Sequence, residues 1–190
     1  MKKTVKLRNI VIGEGMPKIC VPIVGASREE ILDEARAVIE LPADIVEWRI
    51  DHYEDVFDRG RFAETLGELR AVLGDMPLLV TFRSLAEGGE KAADDDEYAK
   101  LVTGAAESGF ADMVDVEVFR SDDIAEKVIG RAHKAGVAVI GSYHDFEGTP
   151  AKDEIVWRLR RMQELRADIS KIAVMPQSRK DVLTLLAAAE

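Results

Sequence analysis

The feature that most constrains this chain is an alternation repeated six times, in which short apolar, β-branched runs are separated by longer amphipathic runs rich in Ala, Leu, Glu, Lys and Arg. Strand side chains alternate between two faces, whereas a helix brings every third or fourth residue to one face, so the two periods in turn predict a βα repeat. The predicted strands are residues 18–25, 44–51, 77–84, 113–119, 138–146 and 169–176. Helices are predicted to begin near Ser27, Gly60, Asp95, Ser121, Ala151 and Ser178. Several open on a Ser or Asp whose oxygen can accept from a free helical amide, and Gly74, Gly109 and Gly136 supply stops. No Pro/Ser-rich linker or change of composition interrupts the series. One domain over residues 1–190 is therefore predicted, with a leader in 1–16 and six βα units in 17–190.

Helices that alternate with parallel strands leave two architectures, a doubly wound open sheet and a closed barrel. The first would announce a nucleotide site by a Gly-rich turn after its first strand, but VPIVGASREE carries a single Gly there. The expectation is thus the α/β class and the (β/α)8 TIM-barrel family. Eight units typically take about 250 residues, so 190 residues predict an incomplete barrel of about six βα units. The leader TVKLRNIVIGEG reads as two short strands around Arg8 and Asn9, an N-terminal β-hairpin expected to cover one barrel end.

Charge narrows the partners. With 26 Lys and Arg against 36 Asp and Glu the net charge is −10, and no basic block offers a footprint for a phosphate backbone or an anionic membrane surface. The first residues, MKKTVKLRNIVIGEG, lack a continuous apolar segment, and no run approaches the roughly 18 apolar residues of a membrane span. A cytoplasmic protein without nucleic-acid or membrane partners is expected. The single cysteine, Cys20, has no disulfide partner and is expected to be a small buried apolar residue.

Strands of a sheet covered by helices should be nearly unbroken apolar runs, and these are not. Glu47, Arg49 and Asp51 share one face of their strand, as do Thr81 and Arg83, Asp115 and Glu117, and Ser142 and His144. Lys171 lies on the same parity as Ala173 and Met175, opposite Ile172 and Val174. Any one of these residues could belong to a structural ion pair. Five strands bearing polar groups on one face point instead to a pocket, which in a barrel lies at the C-terminal strand ends. Lys171 is the natural nucleophile: low dielectric disfavours an ammonium, and a free amine forms an imine with a carbonyl substrate. His144 is suited to acid and base steps near neutral pH.

The segments DIVEWRID, TFRSLAEGGE, SYHDFEGTP and ADISKIAVMPQS, in this order on successive predicted strands, resemble the type I 3-dehydroquinate dehydratases of the shikimate pathway from about Pro17 to Glu190. The resemblance implies a (β/α)8 barrel that dehydrates 3-dehydroquinate to 3-dehydroshikimate without a metal or organic cofactor. It assigns Lys171 to the Schiff base and His144 to proton transfer beside the imine. Glu87 is assigned to orienting His144, and Glu47, Arg49 and Arg83 to holding the ring hydroxyls. It also implies two further βα units, carrying a carboxylate-binding Arg and a closing loop. A chain ending at residue 190 is therefore expected to have impaired activity, and its open sheet edges are expected to make it a homo-oligomer. Two other readings stay open: an aldolase-type Schiff-base lyase, and a non-catalytic partial barrel that self-associates or binds an anion.

Other features are read as structural. The acidic run Asp94–Glu97 suits the positive end of a helix better than a cation site. The glycines of GGEK, Gly88 to Lys91, lack phosphate-loop spacing and are expected to let a loop move. His133 is expected at the surface near its helix end, His52 is left unassigned, and Trp157 with Leu159 and Met162 is expected to form a helix core stripe. Met175 is expected in the core.

Overall fold

The computed structural model describes residues 4–190, so the first three residues of the leader lie outside the described part. An antiparallel hairpin, β1 (Val5–Leu7) and β2 (Ile10–Ile12), turns at Arg8 and Asn9. Six βα units follow: β3 (Cys20–Ile23) and α1 (Arg28–Ile39); β4 (Ile45–Arg49) and α2 (Arg59–Leu73); β5 (Leu78–Thr81) and α3 (Asp95–Glu107); β6 (Met113–Glu117) and α4 (Asp122–Lys134); β7 (Ala138–Asp145) and α5 (Lys152–Glu164); β8 (Ile169–Val174) and α6 (Arg179–Ala189). The strands pair in sequence order, all parallel, in one curled six-stranded sheet. This is the arc of a TIM-like barrel that the alternation predicted.

Local chemistry explains the boundaries. Ser27, Asp94 and Ser178 each form a capping box, accepting from the third helical amide while Glu30, Glu97 or Asp181 accepts from the cap's own N–H. Asp58 and Ser121 cap α2 and α4 from their side chains. The acidic run at Asp94 thus serves to start α3. Gly74, Gly109 and Gly136 take positive φ just past the ends of α2, α3 and α4, where a β-carbon would strain the turn.

The two faces of the sheet do different work. Outward residues such as Val46, Trp48, Leu78, Val80, Val114, Val116 and Val139 are buried against the helices in one large core. On the inner face, the N-terminal part of the strands contributes Ile45, Leu79, Met113 and Ile140, which pack with Leu7 under the hairpin, joined by Val5, Ile10, Ile12 and Ile169. The hairpin therefore plugs the barrel floor, as expected of it, and Arg8 ties it down by donating from Nε to Asp112 at 2.6 Å. Above this floor the inward positions become polar.

Three expectations fail here. Cys20 is exposed, because among the described residues β3 is an edge strand paired with β4 alone. Trp157 is 55% exposed, since Ile155, Leu159 and Met162 at helical spacing turn toward the sheet and leave Trp157 on the opposite side of α5. Its ring instead rests 5.7 Å from that of Phe119. Met175, just past the end of β8, is 41% exposed rather than core.

Candidate active site

The polar residues singled out by strand parity converge inside the sheet. Cross-strand register sets Glu117 beside Ser142 and Ser142 beside Lys171, so β6, β7 and β8 present these side chains in one row. Lys171 is about one-third exposed and its Nζ lies 3.6 Å from Oδ2 of the fully buried Asp115. Oδ1 of Asp115 accepts from Arg83 Nη2 at 2.8 Å and from Ser142 Oγ at 2.6 Å. Arg83 Nη1 donates to Glu117 at 3.0 Å, to Ser142 Oγ at 3.1 Å and to Glu87 at 3.2 Å. Glu87 Oε2 in turn meets His144 Nδ1 at 3.0 Å. Lys171, Asp115, Arg83, Glu87 and His144 thus form one continuous chain of polar contacts.

This chain sets the charge states. Burial is the main reason that His144 is pushed down to about 4, and the nearby Arg83 and Lys171 cations act in the same direction. Near neutral pH its imidazole is uncharged. Burial likewise pushes Glu87 up to about 7, with the Asp115 carboxylate adding to the rise and Arg83 opposing it. Burial alone would raise Asp115 too, but Arg83, Lys171 and the Ser142 hydroxyl outweigh it and hold this carboxyl below its usual range. Enclosed by carboxylates, Arg83 stays a cation.

Glu47 and Arg49 enter the same interior from β4, outside that chain of contacts. Glu47 accepts from Thr81 Oγ1 at 2.7 Å, and Arg49 forks onto both oxygens of Asp51 at 2.9 and 2.8 Å. Arg83 is more enclosed than parity suggested, at 3% exposure, with carboxylates and Ser142 taking its donors. The guanidiniums of Arg49 and Arg83 are therefore each compensated by carboxylates, and the carboxylate paired with Lys171 is Asp115.

The segment bearing Glu87 is a single 3-10 turn, Leu85–Glu87, held by backbone contacts. Asp51 accepts from the amides of Arg83 and Glu90, each at 3.2 Å, while Lys91 Nζ donates to the carbonyls of Asp51 at 2.7 Å and Tyr53 at 2.9 Å. The glycines here serve close approach. A β-carbon on Gly89 would sit 1.9 Å from the Arg83 carbonyl oxygen. Gly88 has φ +83°, and a β-carbon there would lie 2.4 Å from the Phe146 ring. That ring stacks on His144 with centroids 6.4 Å apart and planes 12° apart.

Sequence parity noted Asp51, Asp115 and Ser142 as inward without giving them roles, and passed over Lys91 and Phe146. The available signal was the Arg49–Asp51 spacing, which puts both on one side of the strand end. Lys91 and Phe146 lie on loops, where no period marks a direction. His52 Nε2 lies 3.8 Å from Asp51 Oδ2 at the rim, and His133 Nε2 meets Asp168 at 2.9 Å near the end of α4.

A family model described as type I 3-dehydroquinase matches residues 19–190. The chain is 51% identical over 188 residues to a 3-dehydroquinate dehydratase of Clostridioides difficile, covering 99% of this chain and 74% of that protein. It is 50% identical over 186 residues to that of Salmonella agona, covering 98% and 74%. A crystal structure of the type I 3-dehydroquinate dehydratase from Clostridium difficile, carrying covalently modified comenic acid, superposes with a TM-score of 0.97 at 51% identity, covering 99% of this chain and 74% of that one. A solved 3-dehydroquinate dehydratase from Enterococcus faecalis gives 0.94 at 47% identity, covering 97% and 77%.

Proposed function

The chain belongs to the type I 3-dehydroquinase family, and we propose that its dehydration of 3-dehydroquinate runs through Lys171, His144 and Glu87. The aldolase and non-catalytic readings are not favoured, since the dehydratase relatives match at about half identity over nearly the whole chain. The observation that carries the assignment is the contact chain linking Lys171 to the His144–Glu87 pair on one face of neighbouring strands.

Lys171 Nζ adds to the substrate ketone, and loss of water gives an iminium. Its cationic nitrogen can receive an electron pair, which makes the adjacent C–H acidic. His144, uncharged near neutral pH, takes that proton. The resulting enamine expels the hydroxyl one carbon further on, which leaves as water with the proton His144 returns, and hydrolysis of the new iminium frees product and Lys171. Glu87 suits both halves of this cycle. Ionised, it accepts from Nδ1–H and leaves Nε2 as a base; protonated, it donates to Nδ1 and leaves Nε2–H as an acid. Glu47 and Arg49 hold ring hydroxyls from β4, and Arg83 does so from above the apolar floor with the donor capacity that Asp115, Glu117, Glu87 and Ser142 leave it. The reaction needs no metal or organic cofactor.

The test is borohydride reduction in the presence of 3-dehydroquinate, with peptide mapping by mass spectrometry. The expected adduct lies on Lys171 and vanishes in Lys171→Ala; an adduct elsewhere overturns the assignment. We further propose that the protein works in the cytoplasm as a homo-oligomer and does not engage nucleic acid. A net charge of −10 supports the last point, and the exposed Val182, Leu183 and Leu186 of α6 support self-association. No helix among the described residues is long and apolar enough to cross a membrane.

A further inference from the structure

Asp115 is the one member of the contact chain to which the reaction above gives no part, and it carries an unexplained atom. Its side chain is wholly buried and its Oδ1 is fully engaged by Arg83 and Ser142. Oδ2 has no hydrogen-bond donor among the described residues. A buried carboxylate oxygen left without a donor is costly and uncommon in folded proteins. The Nζ of Lys171 lies 3.6 Å from this bare oxygen, beyond an ordinary hydrogen bond but pointed to the same interior. Arg83 and Ser142 fix the carboxylate from behind, so it cannot turn away.

We propose that Asp115 is a positioning residue for the Schiff base: its free Oδ2 accepts a hydrogen bond from the iminium N–H of Lys171 and keeps that nitrogen protonated. The inference rests on Lys171 being the imine-forming amine. An amine, a ketone and one proton give an iminium and one water, and only the protonated nitrogen is a good electron sink. Attraction to Oδ2 exists when the nitrogen is cationic and disappears when it is a neutral imine, so the carboxylate favours the reactive form selectively. Two iminium states, before and after elimination, gain this contact. The enamine between them carries a neutral nitrogen and does not. Trading the 3.6 Å separation for a charge-assisted hydrogen bond needs a shift of about 0.7 to 0.9 Å, within reach of the flexible lysine stem.

The full chain carrying Asp115→Asn tests this, since Asn keeps the shape and an acceptor for Ser142 but removes the charge. Cyanoborohydride reduces protonated iminium far faster than neutral imine, whereas borohydride reduces both. With 3-dehydroquinate at neutral pH, Asp115→Asn is expected to label Lys171 with borohydride but at least about tenfold more slowly with cyanoborohydride, as a shift of one pKa unit or more in the imine implies. Its kcat should fall by a similar factor while KM changes by less than about threefold, the pattern of an interaction made after binding. Glu117→Gln weakens the Arg83 cage without touching the Asp115–Lys171 contact and should keep the cyanoborohydride rate within about threefold of the parent. Asp115→Glu, which restores the charge on a longer arm, should recover cyanoborohydride labelling and serves as the readout if Asp115→Asn does not fold. Unchanged labelling by both reagents in Asp115→Asn, an equal defect in Glu117→Gln, or no recovery in a folded Asp115→Glu overturns the proposal. Persistent labelling in Lys171→Ala instead overturns the nucleophile assignment on which it rests.

Discussion

A single proton shared by His144 and Glu87 is the residue-scale feature with the clearest consequences. Outside the fold, between about pH 4.5 and 6.5, the histidine of this pair is charged and the glutamate ionised. Inside, burial reverses both, with His144 near 4 and Glu87 near 7, so the pair holds one proton in either state. Taken alone, the depressed histidine gives stability that is lost as pH falls from about 6.5 toward 4. The raised Glu87 gives stability that is present below about 4.5 and lost as pH climbs toward 7. The two trends cancel across their shared window. In Glu87→Gln only the histidine trend remains, so the stability of this variant relative to the parent should improve with rising pH between about 4.5 and 7, by at most about 1.4 kcal/mol per pH unit. Urea denaturation of both proteins at a series of pH values measures that slope, and parallel curves would refute the assigned charge states. At the same scale, His144→Ala should lower kcat by about 10² to 10⁴, the usual worth of a positioned acid–base group, while still forming a borohydride-trappable imine. A loss under about threefold would exclude His144 from proton transfer.

Among the elements, the short turn that carries Glu87 depends on backbone proximity more than on side-chain packing. Gly89 lies so close to the Arg83 carbonyl that an added methyl group must move main chain, and both residues flank the acidic side chain that meets His144. Gly89→Ala is therefore expected to cost about 1 to 3 kcal/mol of stability, as other overpacked sites do, and to lower kcat more than a comparable surface substitution. Denaturation midpoints and steady-state kinetics give the two numbers, and a variant with unchanged values in both would mean that the turn is free to relax. The hairpin is a second separable element. Leu7 is 6% exposed in the cluster that seals the floor, so Leu7→Ala should destabilise by about 2 to 5 kcal/mol, which calorimetry or urea unfolding can read.

At the scale of the molecule, the sheet runs from β3 to β8 without those two strands pairing with each other. Among the described residues each outer strand offers an unpaired row of amides and carbonyls, and the neighbouring α6 exposes Leu183 at 65% and Leu186 at 62%. Such edges are templates for another chain. The 190-residue chain as it stands in this sequence should accordingly associate in a concentration-dependent way in light scattering, and Leu183→Glu with Leu186→Glu should reduce the association. A monodisperse monomer at all concentrations would remove the basis for the homo-oligomer.

What the sequence determined by itself was the order and kind of every βα unit and the face of each strand that carries chemistry, because both follow from local periods. Predicted helix starts at Ser27, Ser121 and Ser178 match the observed caps, since a cap is a contact between residues three apart. Parity alone sent Glu47, Arg83, His144 and Lys171 inward, since a strand has only two sides. What parity could not give was which inward groups touch. Strand register and curvature decide that Asp115 stands 3.6 Å from Lys171, and that Arg83 is enclosed by three carboxylates. Exposure at the margins was equally hidden. Cys20, Trp157 and Met175 read as core in the sequence but lie at an edge strand, on the outer side of a helix and past a strand end, and how much cover such a position receives is a property of the assembled fold. The charge states of Glu87 and His144 belong to the same class: burial and surrounding charges set them, and those are fixed only when residues 57 positions apart in the chain meet at 3.0 Å.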